Sequence, residues 1–410
     1  MSPRKPRILE PDHQQISIRF DDPGRTLAPD HLARTLFLII GRLDLSKFVE
    51  KSRSVEGHAG RPLLSVQMKL ALWLYAISQG VGSAREIERL TRSDDAYAWL
   101  SRGLEISHHT LSDFRVGHDA ALRKLMVDVL ASLLKLGLLD LSMVAQDGTR
   151  VRASASAPSF RRLESLKQCR EQAELHLKVV LATADEADSP GHQATREAKA
   201  RDLLARVDAA IATVNELQKA RGDEEKEARA STTDADARVM KMPDGGFRPG
   251  YNLQFATAGD EHGGPRTIVG VKVTNVGSDM GSVTPMIQQV AQNTSRFPMV
   301  WMADANHVKH ACIEYADGIG IAVLMAIPKR EQASASKSRA VAAWKARMQM
   351  PEAKRLYKAR ASLAELSNAH AKGRFGLERV LVRGLDKVGC VSVLIALAFN
   401  LSQHAAALLA

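Results

Sequence analysis

The chain has 410 residues, long enough for two or three domains, and its 45% hydrophobic and 25% charged fractions are ordinary for a globular protein. Lys and Arg outnumber Asp and Glu by 57 to 46, which gives a formal net charge of +11. A charge of this sign favours a polyanionic partner such as nucleic acid, although a basic enzyme with another substrate would share it. The three cysteines are far apart, which argues against a disulfide framework or a zinc ribbon and indicates a reducing compartment.

The most apolar segment of the chain lies at the C-terminus. From 391 to 410 it is interrupted by Asn400, Gln403 and His404, so it predicts a packing helix and not a membrane span. The first fifteen residues lack the apolar core of a signal peptide. We therefore expect a cytoplasmic protein that has no membrane partner.

Residues 1–140 have a helical pattern. Apolar residues recur at helical spacing from 62 to 79, and residues 83–86 and 110–113 have the composition of capping boxes that begin helices. Short capped helices with arginines among them resemble a helix-turn-helix DNA reader, although any helical packing module could show this pattern. The arginines expected to bind DNA are Arg85, Arg89 and Arg115.

Near residue 141 the hydrophobic period changes from helical to alternating. Met143, Ala145 and Asp147 share one face of a predicted strand. Gly148 follows the acid directly and suggests a local bend there. The strand therefore carries a carboxylate among apolar neighbours, which is costly unless the charge is paired or binds a metal ion.

A second acid stands at a similar place further along the chain. Strands are predicted at 250–257 and 266–275, and the apolar run 298–303 has the composition of a buried strand that ends at Asp304. Strands and helices alternate from 141 onward, which predicts an α/β domain.

Residues 160–230 form a separate block in this pattern. Apolar residues between 204 and 217 step by three and four, as along a helical seam, and the composition of 184–193 predicts a turn. We interpret 160–230 as a helical hairpin inserted into the α/β domain.

The two strand-end aspartates would meet if their strands are neighbours. Carboxylate oxygens are the ligands that Mg²⁺ prefers, and a pair of such ions about 4 Å apart can activate one oxygen and stabilise another. The candidate third carboxylate is Glu365, on a basic helix. Each acid alone would more often be an ordinary turn or surface residue, so the interpretation depends on the ordered set. The helix also carries Tyr357, Arg360 and Lys372.

Seven segments in series carry the most specific information in the sequence. They are SAREIERL (83–90), HHTLSDFR (108–115), VAQDGTRVRASAS (144–156), DARVMKMPDGGFRPGYNLQFA (236–256), DMGSVTPM (279–286), MADANH (302–307) and YKARASLAELSNAHAKGRFGLERVLVRGL (357–385). In this order they resemble the DDE transposases of bacterial insertion sequences, within the group that has a short helical N-terminal domain. The resemblance extends over most of the chain.

The resemblance implies an α/β fold with an RNase H-like mixed sheet. The implied domains are an all-α N-terminal DNA-binding domain (1–140) and an RNase H-like catalytic domain (141–400) with a helical insertion (160–230). The catalytic and metal-binding residues carried over from the family are Asp147 in the DGT motif, Asp304 after a later strand, and Glu365 in the tyrosine-arginine-glutamate-lysine helix. The DNA-binding companions on that helix are Tyr357, Arg360 and Lys372.

The chain departs from the family pattern at two places. Many relatives have Gly-Tyr shortly after the second aspartate, where this chain has Asn306 and His307. Other relatives place three residues between the arginine and the glutamate, and here four residues separate Arg360 from Glu365. Glu352 and Glu378 are therefore kept as alternatives for the third acid.

The function implied is that of a DNA transposase. It would bind the terminal inverted repeats of its element, cleave strands there and join them to target DNA, with Mg²⁺ or Mn²⁺ as cofactor, two ions being expected. Arg150 and Arg152 would bind the phosphate backbone near the cut. A homodimer on DNA and a cytoplasmic, nucleoid-associated location are expected. The alternative is a catalytically decayed transposase that acts as a DNA-binding repressor.

Overall fold

The computed structural model describes residues 22–50, 62–183, 190–221, 227–260, 264–332 and 338–409. The first eight helices are α1 Pro23–Thr26, α2 Leu32–Gly41, α3 Ser46–Val49, α4 Val66–Ser78, α5 Ala84–Ser93, α6 Asp95–Ser101, α7 His108–Gly117 and α8 Asp119–Lys135. The later helices are α9 Leu163–Ala182, α10 Pro190–Arg221, α11 Val283–Thr294, α12 His310–Gly318, α13 Lys329–Gln332, α14 Arg339–Arg347, α15 Pro351–Arg360, α16 Leu366–Ala369, α17 Leu385–Gln403 and α18 Ala405–Leu409. The strands are β1 Met143–Arg152, β2 Phe160–Arg161, β3 Ala230–Ser231, β4 Arg238–Lys241, β5 Phe247–Ala258, β6 Thr267–Thr274, β7 Val300–Ala303 and β8 Ala322–Met325.

Six strands form one mixed sheet. Their order is β4-β5-β1-β7-β8. Strand β6 pairs with β5 on the same side as β4, further along β5. The pairs β4–β5, β5–β6 and β1–β5 are antiparallel, whereas β1–β7 and β7–β8 are parallel. This mixed α/β architecture is consistent with an RNase H-like transposase. The predicted bend after Asp147 is wrong, because β1 continues through Gly148 to Arg152.

Helix α17 lies at the centre of the core, between the sheet and the N-terminal helices. It packs against β6, α4 and α8, and 13 of its 19 residues are buried. Asn400, near its end, accepts from the backbone of Ile268 at 2.7 Å and donates to it at 2.8 Å, so the buried amide clamps the edge strand β6. Among the described helices α17 is long and apolar enough to cross a membrane, but its buried surface is that of a core helix.

The described residues between 22 and 135 contain helices and no strand. Ser83 caps α5 by accepting from the Glu86 amide at 3.4 Å, as the capping pattern predicts. The second predicted cap is displaced: Ser107, not Thr110, caps α7, which ends at Gly117 before α8 begins at Asp119. These helices share one hydrophobic core with the sheet.

Helices α9 and α10 form an antiparallel pair outside the main sheet. The short strands β2 and β3 pair with each other at its base. The pair has its own small core, which includes Leu166, Ala210 and Val214. The predicted turn at 184–193 falls mostly outside the described residues.

Candidate active site

Strands β1 and β7 place two aspartates side by side. The strands are parallel, and Ala145 pairs with Met302. Asp147 and Asp304 each stand two residues beyond this last pair, so the two aspartates lie near each other where β7 ends; neighbouring strands are about 4.8 Å apart. Asp304 directly follows the last residue of β7. The strand pairing therefore brings these two predicted site residues together at the carboxyl end of β7.

Asp147 is partly buried in the strand. Its Oδ1 accepts from the Gly148 amide at 3.0 Å, and its Oδ2 accepts from the side-chain amide of Asn368 at 2.9 Å. Burial raises the pKa of Asp147; the Asn368 hydrogen bond and the charge of Arg360 oppose this, while the charge of Asp304 adds to it. Two neighbouring carboxylates repel each other, and a cation bound between them would remove that repulsion.

Asp304 lies beside Asp147 but has a different environment. Its Oδ1 accepts from the Asn306 amide at 3.0 Å and meets Nδ1 of the fully buried His307 at 2.5 Å. Burial alone would raise the pKa of Asp304, but hydrogen bonds from His307 and Asn306, together with the interaction with the His307 charge, outweigh it and lower the pKa to about 2. Asp304 is therefore ionised at neutral pH.

Helix α15 is attached to the end of β7 by Tyr357, whose hydroxyl donates to the Ala303 carbonyl at 3.1 Å. The guanidinium carbon of Arg360 lies 5.8 Å from the centre of the Tyr357 ring, within the range of a cation-π contact. The Arg360 side chain is only 18% exposed, and its charge reaches Asp147. Tyr357 and Arg360 thus both lie beside the aspartate pair.

The helix accommodates the extra residue between Arg360 and Glu365 by a local change of its hydrogen-bonding pattern. Residues 361–365 form a π-helical turn, in which residues five apart take the relation that residues four apart have in an α-helix. Arg360 and Glu365 consequently meet, with 3.4 Å between the guanidinium and the carboxylate. The departure from family spacing therefore has a structural counterpart.

The π-helical turn that ends at Glu365 contacts β1, but the Glu365 carboxylate is directed toward Arg360. Its side chain is 60% exposed and pairs with Arg360. One turn later, Asn368 is the residue that contacts Asp147. In the described ranges no three His, Cys, Asp or Glu side chains form a group able to hold a metal ion. The alternatives Glu352 and Glu378 are both exposed.

The arrangement around the aspartates fits a hard divalent cation. Besides the two carboxylates, Asn368 offers a buried side-chain oxygen that has no hydrogen-bond partner among the described residues. An uncompensated buried carbonyl beside two carboxylates is unfavourable, and a cation would satisfy it. All three are oxygen donors, the kind that Mg²⁺ and Mn²⁺ take.

A basic cavity lies beside the aspartate pair. It has a volume of about 330 Å³ and is lined by Arg150, Arg152 and Lys372, together with Asp244 and Glu378. Burial lowers the pKa of Lys372, and the nearby charge of Asp147 acts against that. The two acids partly neutralise the cavity, since Arg152 lies 3.8 Å from Asp244 and 3.9 Å from Glu378.

The predicted N-terminal arginines lie in unlike environments. Arg85 is exposed on α5, and Arg89 is exposed but paired with Glu86 at 2.6 Å. Arg115 is buried, 4.6 Å from the centre of the Trp73 ring, and donates to the Gly82 carbonyl at 2.8 Å. Burial lowers the pKa of Arg115 to about 10. Its contacts are those of a packing residue that joins helices.

Sequence reasoning missed Asn368 and the polar partners of His307. Asn368 gave no signal, because one amide on a helix is unremarkable in sequence. Asn252 and Gln254 did give a signal: they alternate with Tyr251, Leu253 and Phe255 on a strand where both faces are buried. Buried polar side chains of this kind require partners.

Two protein families match the chain. The family described as transposase DDE domain matches residues 307–405. The family described as transposase domain (DUF772) matches residues 23–117. The first match includes Glu365 and begins three residues after Asp304. No curated protein and no solved structure matches the chain.

Proposed function

We propose that this chain is an insertion-sequence DDE transposase that binds the ends of its element and catalyses strand cleavage and strand transfer. Its matches to a transposase DDE domain and to a second transposase domain support this proposal. The observation that carries the proposal is the register of β1 and β7, which sets Asp147 beside Asp304. The unpartnered oxygen of Asn368 next to them supports a cation there.

The metal ligands in this proposal are Asp147, Asp304 and Glu365, and the cofactor is Mg²⁺ or Mn²⁺, as two ions. Bound ions of this kind lower the pKa of an attacking water or hydroxyl and stabilise the leaving oxygen. Glu365 is included because the π-helical turn sets it one turn before Asn368, on the helical segment that packs against β1. Its present partner is Arg360, and because the Glu365 side chain is 60% exposed, water screens this ion pair and its exchange costs little.

The basic residues have separate tasks in this proposal. Arg150, Arg152 and Lys372 bind phosphates on either side of the scissile bond, because they line one open cavity beside the aspartates. Tyr357 and Arg360 hold the helix against the end of β7 and counter the charge of Asp147. Arg85 and Arg89 on α5 contact the inverted repeats.

The assembly follows from the reaction. Both ends of the element must be held together for transfer, so we propose a homodimer on DNA. Cyclic dimers are the most common closed assemblies, and each copy would supply one site.

The test is strand cleavage by the full chain. Labelled duplexes carrying the inverted repeats that flank its own gene are incubated with Mg²⁺ or Mn²⁺. We expect 3′-hydroxyl products with the wild-type chain and none with Asp147→Asn, Asp304→Asn or Glu365→Gln, while all four proteins retain the end duplex in a mobility-shift assay. End binding without cleavage by the wild-type chain would instead identify the decayed, repressor form, and cleavage by the aspartate variants would refute the site.

A further inference from the structure

A buried polar network lies behind the two aspartates. On β1, Gly148 pairs with Gln254 of β5. A side chain at 148 would have no room, since its Cβ would come within 2.5 Å of Oδ1 of Asp279 and closer still to the Gln254 amide. The glycine of the DGT motif therefore leaves a space that these two polar side chains fill.

Asp279 orients the network. Its carboxylate is buried and its Oδ1 accepts from Nδ2 of Asn252 at 2.7 Å and from Nε2 of Gln254 at 2.6 Å. Because a carboxylate only accepts, the NH₂ group of Gln254 must face it, and the Gln254 oxygen must face the other way. That oxygen accepts from Nε2 of Gln146 at 3.0 Å.

The same Gln254 oxygen contacts His307. Nε2 of His307 lies 3.1 Å from it, and an oxygen can only accept, so this nitrogen donates. Nδ1 of the same ring lies 2.5 Å from Oδ1 of Asp304. The imidazole is fully buried and is held at both nitrogens, so its orientation is fixed by Asp279 through Gln254.

We propose that His307 is the positioning residue of Asp304, held in its working orientation by the buried Asp279–Gln254 pair. The network ties down Oδ1 of Asp304 from the interior. Oδ2 is contacted at 2.8 Å by the side chain of Asn306, which is exposed and replaceable. The carboxylate thus keeps one oxygen fixed and one available to a cation. This inference rests on the proposed function, since it concerns the same metal site.

Two substitutions separate the bonds of His307. His307→Asn retains an NH₂ group near the position of Nδ1, so it can still donate to Asp304. His307→Gln carries its NH₂ group near the position of Nε2, so it keeps the contact with Gln254 and loses the one with Asp304. Asn306→Ala is the matched control, because it removes an exposed contact to the same carboxylate. Gln254→Met removes the hydrogen bonds of Gln254, one residue further from Asp304 than His307, with little change of side-chain volume.

The measurement is binding of Mn²⁺ to the full-length protein without DNA, from the electron paramagnetic resonance signal of the free ion. Loss of a residue that orients a metal ligand costs about tenfold or more in metal affinity, so we expect about a tenfold weaker affinity for His307→Gln. We expect His307→Asn to stay within about threefold of wild type, Gln254→Met to be intermediate, and Asn306→Ala to change affinity less than about twofold. Thermal unfolding in EDTA identifies any variant that does not fold.

Three results would overturn the inference while leaving the proposed metal site in place. The first is equal Mn²⁺ affinity of His307→Gln and wild type, and the second is no recovery in His307→Asn while that protein folds. The third is a full effect of Asn306→Ala. Asp304→Asn distinguishes failure of the inference from failure of the proposed function. If Asp304→Asn also leaves Mn²⁺ binding unchanged, or the wild type binds none, the metal site itself is wrong, and the inference is overturned with it.

Discussion

The two aspartates should respond oppositely when their charge is removed in the absence of metal. Asp304 is stabilised as an anion by His307, whereas Asp147 is buried, repelled by Asp304 and placed beside the unpartnered oxygen of Asn368. We expect Asp304→Asn to destabilise the metal-free protein. We expect Asp147→Asn to stabilise it, because the substitution removes a buried charge that Asp304 repels.

The magnitude for Asp304 follows from its pKa. A decrease from 3.8 to about 2 corresponds to about 2 kcal/mol of folding free energy at neutral pH. Asn serves as well as Asp at a helical N-terminal cap, so the loss in Asp304→Asn comes from the His307 contact. For Asp147→Asn the change has the opposite sign, because burial and Asp304 raise the pKa of Asp147 in the folded state.

The pH dependence gives a second check on Asp304. Its pKa is lowered in the folded state, so its contribution is complete above the unfolded pKa and is lost as pH falls through the folded pKa. The stability difference between wild type and Asp304→Asn should therefore be about half as large at pH 3 as at pH 7.

The assay is urea unfolding in EDTA, followed by tryptophan fluorescence. Both variants are compared with the wild type at pH 7, and Asp304→Asn also at pH 3. A destabilised Asp147→Asn, or an Asp304→Asn protein as stable as the wild type at pH 7, would refute the reasoning. Asp147→Asn is thus expected to be more stable than the wild type but inactive, as is typical where a residue binds a charged ligand.

Three further predictions concern other parts of the molecule. Gly148→Ala should lower the free energy of unfolding by about 2 kcal/mol through overpacking against Asp279, and unchanged urea unfolding would contradict the close approach seen there. Deleting the exposed Ser362 should convert the π-helical turn to an α-helical one and leave end cleavage intact, so loss of cleavage in a folded deletion protein would show that the turn itself is required. Arg85→Ala should weaken end binding and reduce its salt slope by about one, whereas Arg115→Ala should mainly lower the melting temperature; the reverse pattern in salt titrations and melting curves would exchange their roles.

The sequence by itself determined where many of the elements lie and that two of the strands carry or end at an aspartate. Alternation of apolar residues is a local property, so it predicted β1 with Asp147 and β7 ending at Asp304, and the helical spacing predicted α4, α9 and α10. The ordered segments pointed to transposases, which the two family matches support.

The sequence was less informative where neighbours distant in the chain compete with local patterns. The capping pattern at 110–113 is sound chemically, but Ser107 lies one turn earlier and its hydroxyl caps α7 instead. Gly148 suggested a bend, because a glycine in a strand has several uses that only its surroundings distinguish. Arg115 belongs to an arginine-rich pattern, yet Trp73 and Gly82 bury it.

Tertiary structure alone decided how the pieces meet. Strand pairing sets Asp147 near Asp304, and no local pattern encodes register between residues more than 150 positions apart. Packing of the α15–α16 segment turns Asn368 toward Asp147 and leaves the Glu365 carboxylate with Arg360. Folding also joins Asp279, Gln254 and His307 into one hydrogen-bonded series. These contacts depend on side-chain directions across elements, which burial and hydrogen-bond satisfaction fix only once the whole core has formed.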